Sequence, residues 1–597
     1  MGKKESLVRS INAFFALILA CALTIWVSHI GQVQAFAAGT YTLKLDITGQ
    51  TLQQKQGYVY SAYQIFKGDL AGTGATATLG NIEWAYDVNS DALIKALAAN
   101  DTTKADFAKF VDGGAVKSGT TAAEIAKAIA ALNDDAKKYA VADILYNNRG
   151  AGAGTEFTPK GASVANETTE LTATVASAGY YVIASTSKPT NDAHNSYSDT
   201  RYILQVTNTV TNIKPKIGTT TAEKTVIDPQ KAGSAEASNN AVSAAIGQEL
   251  TFNLKVDLPA NIKNYADHGY KAKFSDTKSA GLDWVVKTDS TNLDYSFVVK
   301  YNDGSAKETA VTDLGNIAAD SNTVELTIAD VFKNPAIKKA ITDNTTGAVQ
   351  LVLTYKAKLN ANAVVTNDGN PNNFTFEFSN NPNTGTGGDT STTPPSIIHV
   401  HTFKVSSTKV DSQDTNTKLA GAKFKLQDIT AGGTNKDKYA TMTTTADGDY
   451  KISGWVASDA DATEITSAAQ GKLDITGLPE GTFKLIETQA PSGYEKAPMD
   501  AFEFKIAPEY VGTGAGTLTS LKITSGTAAE LGTAEAQAGT VSGTEASVAQ
   551  TLKNTKGSIL PNTGGMGTII FTIVGLALMI GAGATYVVRR RKQQQNA

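Results

Sequence analysis

Apolar residues recur at every second position in several short runs. Tyr41, Leu43, Leu45 and Ile47 share one parity, as do Phe374, Phe376 and Phe378. Phe424 and Leu426 repeat the pattern, and so do Phe483 and Leu485. Such alternation predicts strands with one face buried and one solvated. Clusters of Gly, Asn, Asp and Thr separate the runs, so the pattern is that of antiparallel β-sandwiches. The exception lies between Asp91 and Asn148, where Ile125, Ile129 and Leu132 follow helical spacing. The first unit is therefore expected to be a β-structure with a helical insertion.

Two longer apolar runs lie at the ends. The first, Ile11 to Val27, follows Lys3, Lys4 and Arg9 and precedes the small-x-small triplet Ala35-Phe36-Ala37. That order is a secretory signal peptide, residues 1–38; the alternative is an uncleaved membrane anchor. The second, Met566 to Val588, is closed by Arg589, Arg590, Arg591 and Lys592. At ~1.5 Å per residue it reaches about 35 Å, enough to cross a bilayer core. Immediately before it stands Leu560-Pro561-Asn562-Thr563-Gly564.

Composition divides the rest. The Gly- and Pro-rich stretch NTGTGGDTSTTPPS reads as a spacer at 384–396. Three units follow from it: 39–213, 214–383 and 397–555, with the tail at 560–597. An apolar fraction of 41% argues against a disordered chain. The net charge of −4 becomes about −10 once the seven cations and one anion of the two ends are set aside, so no nucleic-acid partner is indicated. The one cysteine, Cys21, belongs to the N-terminal run, which leaves the exported chain without thiols. His399 and His401 share a strand face, but no third ligand accompanies them; a solvated pair is expected and no metal is assigned. There is no Walker loop, HExxH or Gly-x-Ser-x-Gly, and no cofactor is expected.

Strand parity suggests chemistry of another kind. Phe403, Val405, Ser407 and Lys409 share one parity; Phe483, Leu485 and Glu487 another; Val548, Gln550, Leu552 and Asn554 a third. A lysine, a glutamate and an asparagine thus fall at inward positions of three strands. Burial favours neutral lysine and protonated glutamate. The Lys409 amine can then attack the Asn554 carboxamide, with Glu487 shuttling protons, to leave an isopeptide crosslink and ammonia. A buried salt bridge, or separate surface residues, is the plainer alternative.

The segments KVD, LAGAKF and LIETQAPSGY, with the terminal NT before LPNTG, resemble the collagen-adhesin B-type modules of Gram-positive backbone pilins. The fold implied is mainly β, with tandem immunoglobulin-like modules. ETQAP is similar to the pilin E-box, whose glutamate would be Glu487, and the resemblance implies a Lys409–Asn554 bond. The second unit offers Lys224 and Asn380 with Asp276 as the acid; Asn381 is the near rival, since one residue of slip changes the face. In the first unit Ser185 falls where Glu487 stands, so no such bond is expected there. The three-part tail resembles a cell-wall sorting signal cut by sortase between Thr563 and Gly564. The amine that receives Thr563 would be Lys216, after Pro215, in a stretch similar to a Tyr-Pro-Lys motif; Lys214 occupies the tyrosine position and keeps the choice open.

The resemblance implies a structural shaft subunit of a sortase-polymerised pilus. Its partners would be sortase, further copies of itself, peptidoglycan and a tip adhesin. A wall-anchored monomeric adhesin is the second reading, and an enzyme acting on wall or glycan the third.

Overall fold

The computed structural model describes residues 40–557 and 566–594, apart from short segments at 73–76, 133–134, 153, 160–162, 192–194, 216, 234, 267, 303–306, 345–347, 382–389, 512–515 and 528. Residues 1–38, expected as a signal peptide, and the expected linkage residues Lys216 and Leu560–Gly564 lie outside the described residues. The chain is mainly β, with its strands in three groups.

In the first group, Tyr41–Asp46 pairs antiparallel with Glu170–Val175 and parallel with Val210–Ile213. A second sheet runs in the order Arg201–Val206, Gly179–Ser187, Val59–Ala71, Thr78–Trp84. The strand Gly179–Ser187 carries an unbroken apolar stretch because both of its faces are covered. Tyr181 and Ile183 join the core facing Leu43 and Leu45. Val182 and Ala184 join a different core, built with Leu93, Ile125, Ile129 and Leu145. These come from the insertion, whose longer helices are Ser90–Ala99, Ala122–Ala130 and Asp135–Asn147. Thr121 opens the middle one with a capping box to Glu124, satisfying two backbone donors that the helix leaves free. In Val59–Ala71 a register shift between Gln64 and Phe66 breaks the alternation. Phe66 consequently packs on the helical side, although it shares parity with Tyr60 and Ala62 on the other.

The second group is a sandwich. One sheet runs Asn195–Tyr197, Thr219–Val226, Glu249–Asp257, Ala348–Leu359, Tyr295–Asn302, Glu308–Ala310. The other runs Ala241–Ser243, Ser396–His401, Asn370–Ser379, Ala272–Lys278, Thr323–Ile328. Phe252 and Leu254 from the first meet Phe274, Phe374, Phe376 and Phe378 from the second in one core.

Two expected boundaries are altered by this pairing. Ser396–His401, whose first residue is expected to end the spacer and whose others are expected to open the third unit, completes the second sandwich instead, with Asn370 opposite Val400 and Phe374 opposite Ser396. Part of the expected spacer is also structured: Thr390–Thr392 pairs with Asn370–Ser379, and Thr393 N donates to Phe376 O. Pro394 and Pro395 interrupt the ladder briefly, after which Ser396–His401, carrying the β-branched Ile397, Ile398 and Val400, restores it. Likewise Asn195–Tyr197, expected in the first unit, pairs with Thr219–Val226 of the second.

The third group is one continuous pairing of twelve strands. Its opening strand, Phe403–Asp411, lies between Lys472–Leu478, antiparallel, and the closing strand Ala546–Asn554, parallel. Phe424, Phe483, Leu485 and Phe504 fill its interior. A helix follows at Met566–Gln594, and its segment Ile570–Gln594 contains an 18-residue window of mean hydropathy 2.0 and has the length to cross a membrane. Phe571 and Leu578 are exposed there, as suits a lipid-facing helix.

Phe376 is fully buried and meets Phe274 edge-on at 5.1 Å. Truncation to alanine is expected to cost about 3–5 kcal/mol, read as a lower denaturant midpoint for the second sandwich.

Candidate functional site

In the third group, alternation directs Phe403, Val405, Ser407 and Lys409 of one strand inward, and all four are buried. Lys409 lies opposite Leu552 of the parallel closing strand, and Asn554 ends that strand two residues on. Glu487 comes from Gly481–Gln489. The structure brings the three side chains together. Lys409 Nζ lies 3.7 Å from Glu487 Oε1, and Asn554 Nδ2 donates to Glu487 Oε2 at 2.9 Å. Glu487 Oε2 also accepts from Ala497 N at 2.7 Å, and Asn554 Nδ2 also donates to Glu495 O at 2.6 Å, which orients both groups. The amine stands over the Phe502 ring, 4.3 Å from its centre, with Phe424 at 5.6 Å.

Three atoms in this cluster have no hydrogen-bond partner among the described residues: Lys409 Nζ, Glu487 Oε1 and Asn554 Oδ1. Unpaired buried polar atoms are costly, so their gathering at one point is unfavourable unless chemistry removes it. Burial lowers the Lys409 amine from its ordinary 10.5 to about 8, against the opposing pull of Glu487. A neutral amine is a nucleophile, and a carboxamide held by a carboxyl group is its electrophile.

A second cluster lies inside the sandwich. Lys224 Nζ donates to Asp276 Oδ1 at 2.7 Å and Oδ2 at 2.8 Å, with both side chains buried. Burial lowers this lysine to about 8 and raises the Asp276 carboxyl, each effect partly offset by the other charge. Tyr355 donates its hydroxyl to Asp276 Oδ2 at 2.8 Å, and Asn372 Nδ2 donates to that hydroxyl oxygen at 2.8 Å.

Asn380, expected as the partner of Lys224, is not brought to this cluster. Its strand sets Phe374 opposite Asp276, and Asn380 lies six residues further on, roughly 20 Å along an extended chain. Its amide donates to Ser391 Oγ at 2.6 Å instead. The rival Asn381 is also elsewhere, with its amide 3.3 Å from Asp143 Oδ1 on the helical insertion. The asparagine at the cluster is Asn372, fully buried and two residues from Phe374 in the other direction. Its Oδ1 has no hydrogen-bond partner among the described residues; neither has that of Asn380, so position is what separates them. A usable signal existed in the sequence, since Asn372 continues the parity of Phe374, Phe376 and Phe378 backwards.

Ser185 is buried and accepts from Thr200 N at 3.0 Å, a structural bond. The expected solvation of the histidine pair is corrected. His401 is fully buried, with Nε2 2.8 Å from Gly516 O, and burial lowers it to about 4, so it is neutral and donates there. His399 stacks on it at 6.4 Å. Among the described residues no three His, Cys, Asp or Glu converge to hold a metal ion. Lys214 is exposed, 3.7 Å from Asp46 Oδ2.

Residues 403–515 match the SpaA family, a prealbumin-like fold domain, and residues 553–594 match the LPXTG cell wall anchor motif. The anchor places the chain at a cell wall of Gram-positive type. The chain is similar to the trypsin-resistant surface T6 protein of Streptococcus pyogenes serotype M6, 27% identical over 399 residues. That match takes in 59% of this chain and 66% of the relative, just under two thirds of its length. Among solved structures it resembles the T6 backbone pilin of serotype M6 S. pyogenes, with TM-score 0.46, 16% identity and coverage of 87% and 99% of the two chains. It also resembles the full-length major pilin SpaD of Corynebacterium diphtheriae, with TM-score 0.45, 15% identity and coverage of 88% and 99%.

Two crosslinks would each release ammonia, so the intact mass of the span 39–563 is expected to fall roughly 34 Da short, about 17 Da per bond. Glu487→Ala or Asn554→Ala restores one unit, Asn372→Ala the other, and Asn380→Ala neither. A full calculated mass for the unaltered chain would exclude both bonds. In Asn554→Ala, Lys409 stays a free amine. The unfolded chain then holds its proton up to 10.5 while the folded chain gives it up near 8. Folding stability of that variant should therefore rise with pH between these values, checked by denaturant midpoints.

Proposed function

We infer that this chain, a member of the Gram-positive backbone pilins, is the structural shaft subunit of a covalent, sortase-polymerised surface pilus. The observation that carries this reading is the convergence of Lys409, Glu487 and Asn554 in a chain that ends in an LPXTG anchor. The anchor implies sortase and attachment to peptidoglycan. In this reading the membrane helix holds the subunit while sortase cleaves after Thr563 and transfers that carbonyl to Lys216 of another copy. An exposed lysine amine is protonated at neutral pH, so the enzyme must activate it. Head-to-tail repetition of one contact gives an open fibre. A tip adhesin would complete it, and the chain itself does not turn over a substrate.

The internal bonds suit such a fibre. Lys224 to Asn372 and Lys409 to Asn554 each close a loop of about 150 residues, worth about 5 kcal/mol if disulfide arithmetic is borrowed. Under tension they bear load past the hydrogen bonds of the sheets. Neither bond is broken by reduction, which suits a chain whose one cysteine lies within its N-terminal 38 residues.

Wall extracts separated in denaturant should show a ladder of high-mass species that disappears on Lys216→Arg. A single band from the unaltered protein would overturn the shaft reading in favour of a monomeric wall-anchored adhesin.

A further inference from the structure

The two clusters differ at one point. In the third group the acid touches the amide directly, with Glu487 Oε2 2.9 Å from Asn554 Nδ2. In the sandwich both Asp276 oxygens are taken by Lys224, and the Tyr355 hydroxyl stands between Asp276 and Asn372, 2.8 Å from each. Tyr355 reaches there from Ala348–Leu359, in the sheet facing the strands of Asp276 and Asn372. Its ring is held independently of the hydroxyl, stacked on Phe252 at 5.5 Å and edge-on to Trp284 at 5.4 Å. Packing alone would be served by phenylalanine; a hydroxyl buried between an acid and a carboxamide needs a further reason.

We propose that Tyr355 is a catalytic residue of the Lys224–Asn372 crosslink: its hydroxyl orients the Asn372 amide and delivers to the leaving nitrogen a proton that Asp276 collects from Lys224. This rests on the crosslinking reading of the second cluster. Asp276 first takes one proton from the Lys224 ammonium. The neutral amine adds to Asn372 Cγ, forming the Nζ–Cγ bond, and its second proton passes to Asp276 once that carboxyl has given the first to the relay. In the resting site hydrogen bonds run from amide to hydroxyl to carboxylate. Addition gives Nδ2 a lone pair, so the chain reverses: Asp276 donates to the phenol oxygen, and the phenol donates to Nδ2. The Cγ–Nδ2 bond breaks and ammonia leaves. The ammonium's three protons are then accounted for, one on the new amide, one in the ammonia and one on Asp276. Nothing is oxidised and no co-reactant is needed.

The test follows crosslinking in the full chain made by cell-free synthesis in detergent. Samples are quenched at intervals and digested, and the Lys224–Asn372 and Lys409–Asn554 crosslinked peptides are quantified by mass spectrometry. Tyr355→Phe keeps the ring and removes the hydroxyl. It should slow the first peptide about a hundredfold and abolish its solvent deuterium isotope effect, while the second peptide forms at the unaltered rate. Equal rates, or a slower variant that retains the isotope effect, would overturn the relay. Should Tyr355→Phe fail to fold, 3-fluorotyrosine at 355 keeps shape and hydrogen bonds but changes the acidity. A changed rate is expected, and an unchanged one overturns the proposal. If the unaltered chain forms the Lys409–Asn554 peptide but never the Lys224–Asn372 one, the crosslinking reading of the second cluster fails, and the relay with it.

Discussion

A lysine amine buried among aromatic rings with a carboxyl group beside it is the constraint around which this molecule is arranged. Taking an ammonium and a carboxylate out of water costs several kcal/mol per ion, and their attraction repays it only with good geometry and full hydrogen bonding. Lys224 and Asp276 meet that condition, with two short contacts and a phenol on the carboxylate. Lys409 and Glu487 do not: they stand 3.7 Å apart, with the nitrogen and one oxygen unpartnered. The second arrangement makes sense as the ground state of a reaction, in which burial has lowered the proton affinity of the Lys409 amine and left it next to a carboxamide. The surrounding phenylalanines exclude water from the amine, and that desolvation is what lowers its affinity for a proton.

The placement of the clusters follows from topology. Lys409 and Asn554 sit on opening and closing strands that are parallel neighbours, so a bond between them ties together the first and last long strands of the unit in chain order. Lys224 and Asn372 sit on strands of different sheets, so a bond between them would fasten one face of the sandwich to the other. Lys224 reaches Asp276 directly across the core, and the Tyr355 hydroxyl, from the same sheet as Lys224, bridges Asp276 and Asn372, which share the facing sheet.

The second and third groups are joined more closely than a spacer would allow. Ser396–His401 belongs to the sandwich, and after Thr402 the chain enters the twelve-stranded pairing. Further bonds cross between them: Thr434 Oγ1 donates to Pro229 O, Glu480 N to Ser243 Oγ, and His401 to Gly516 O. Such a junction is shorter and stiffer than a Gly- and Pro-rich tether.

Chemistry that depends only on adjacent residues was legible in the amino-acid sequence. The sorting motif, the apolar span and the cationic tail are read from composition and order alone. So is the inward direction of Lys409, Glu487 and Asn554, because a strand's period of two assigns each residue to a face. What that period cannot do is say which position along a face meets which partner. Asn380 and Asn372 share one parity eight residues apart, but Asn380 falls just past the end of the strand Asn370–Ser379, and only the register against Ala272–Lys278 sets Asn372 near Asp276. Tyr355 was beyond reach for a related reason: its role arises from a contact across two sheets between residues far apart in the chain. His401 looked solvated until a loop of the third group covered it. The sequence alone thus determined faces, ends and module type. Tertiary structure decided partners, because side-chain alternation is local while register and sheet stacking are set by the packing of the whole core.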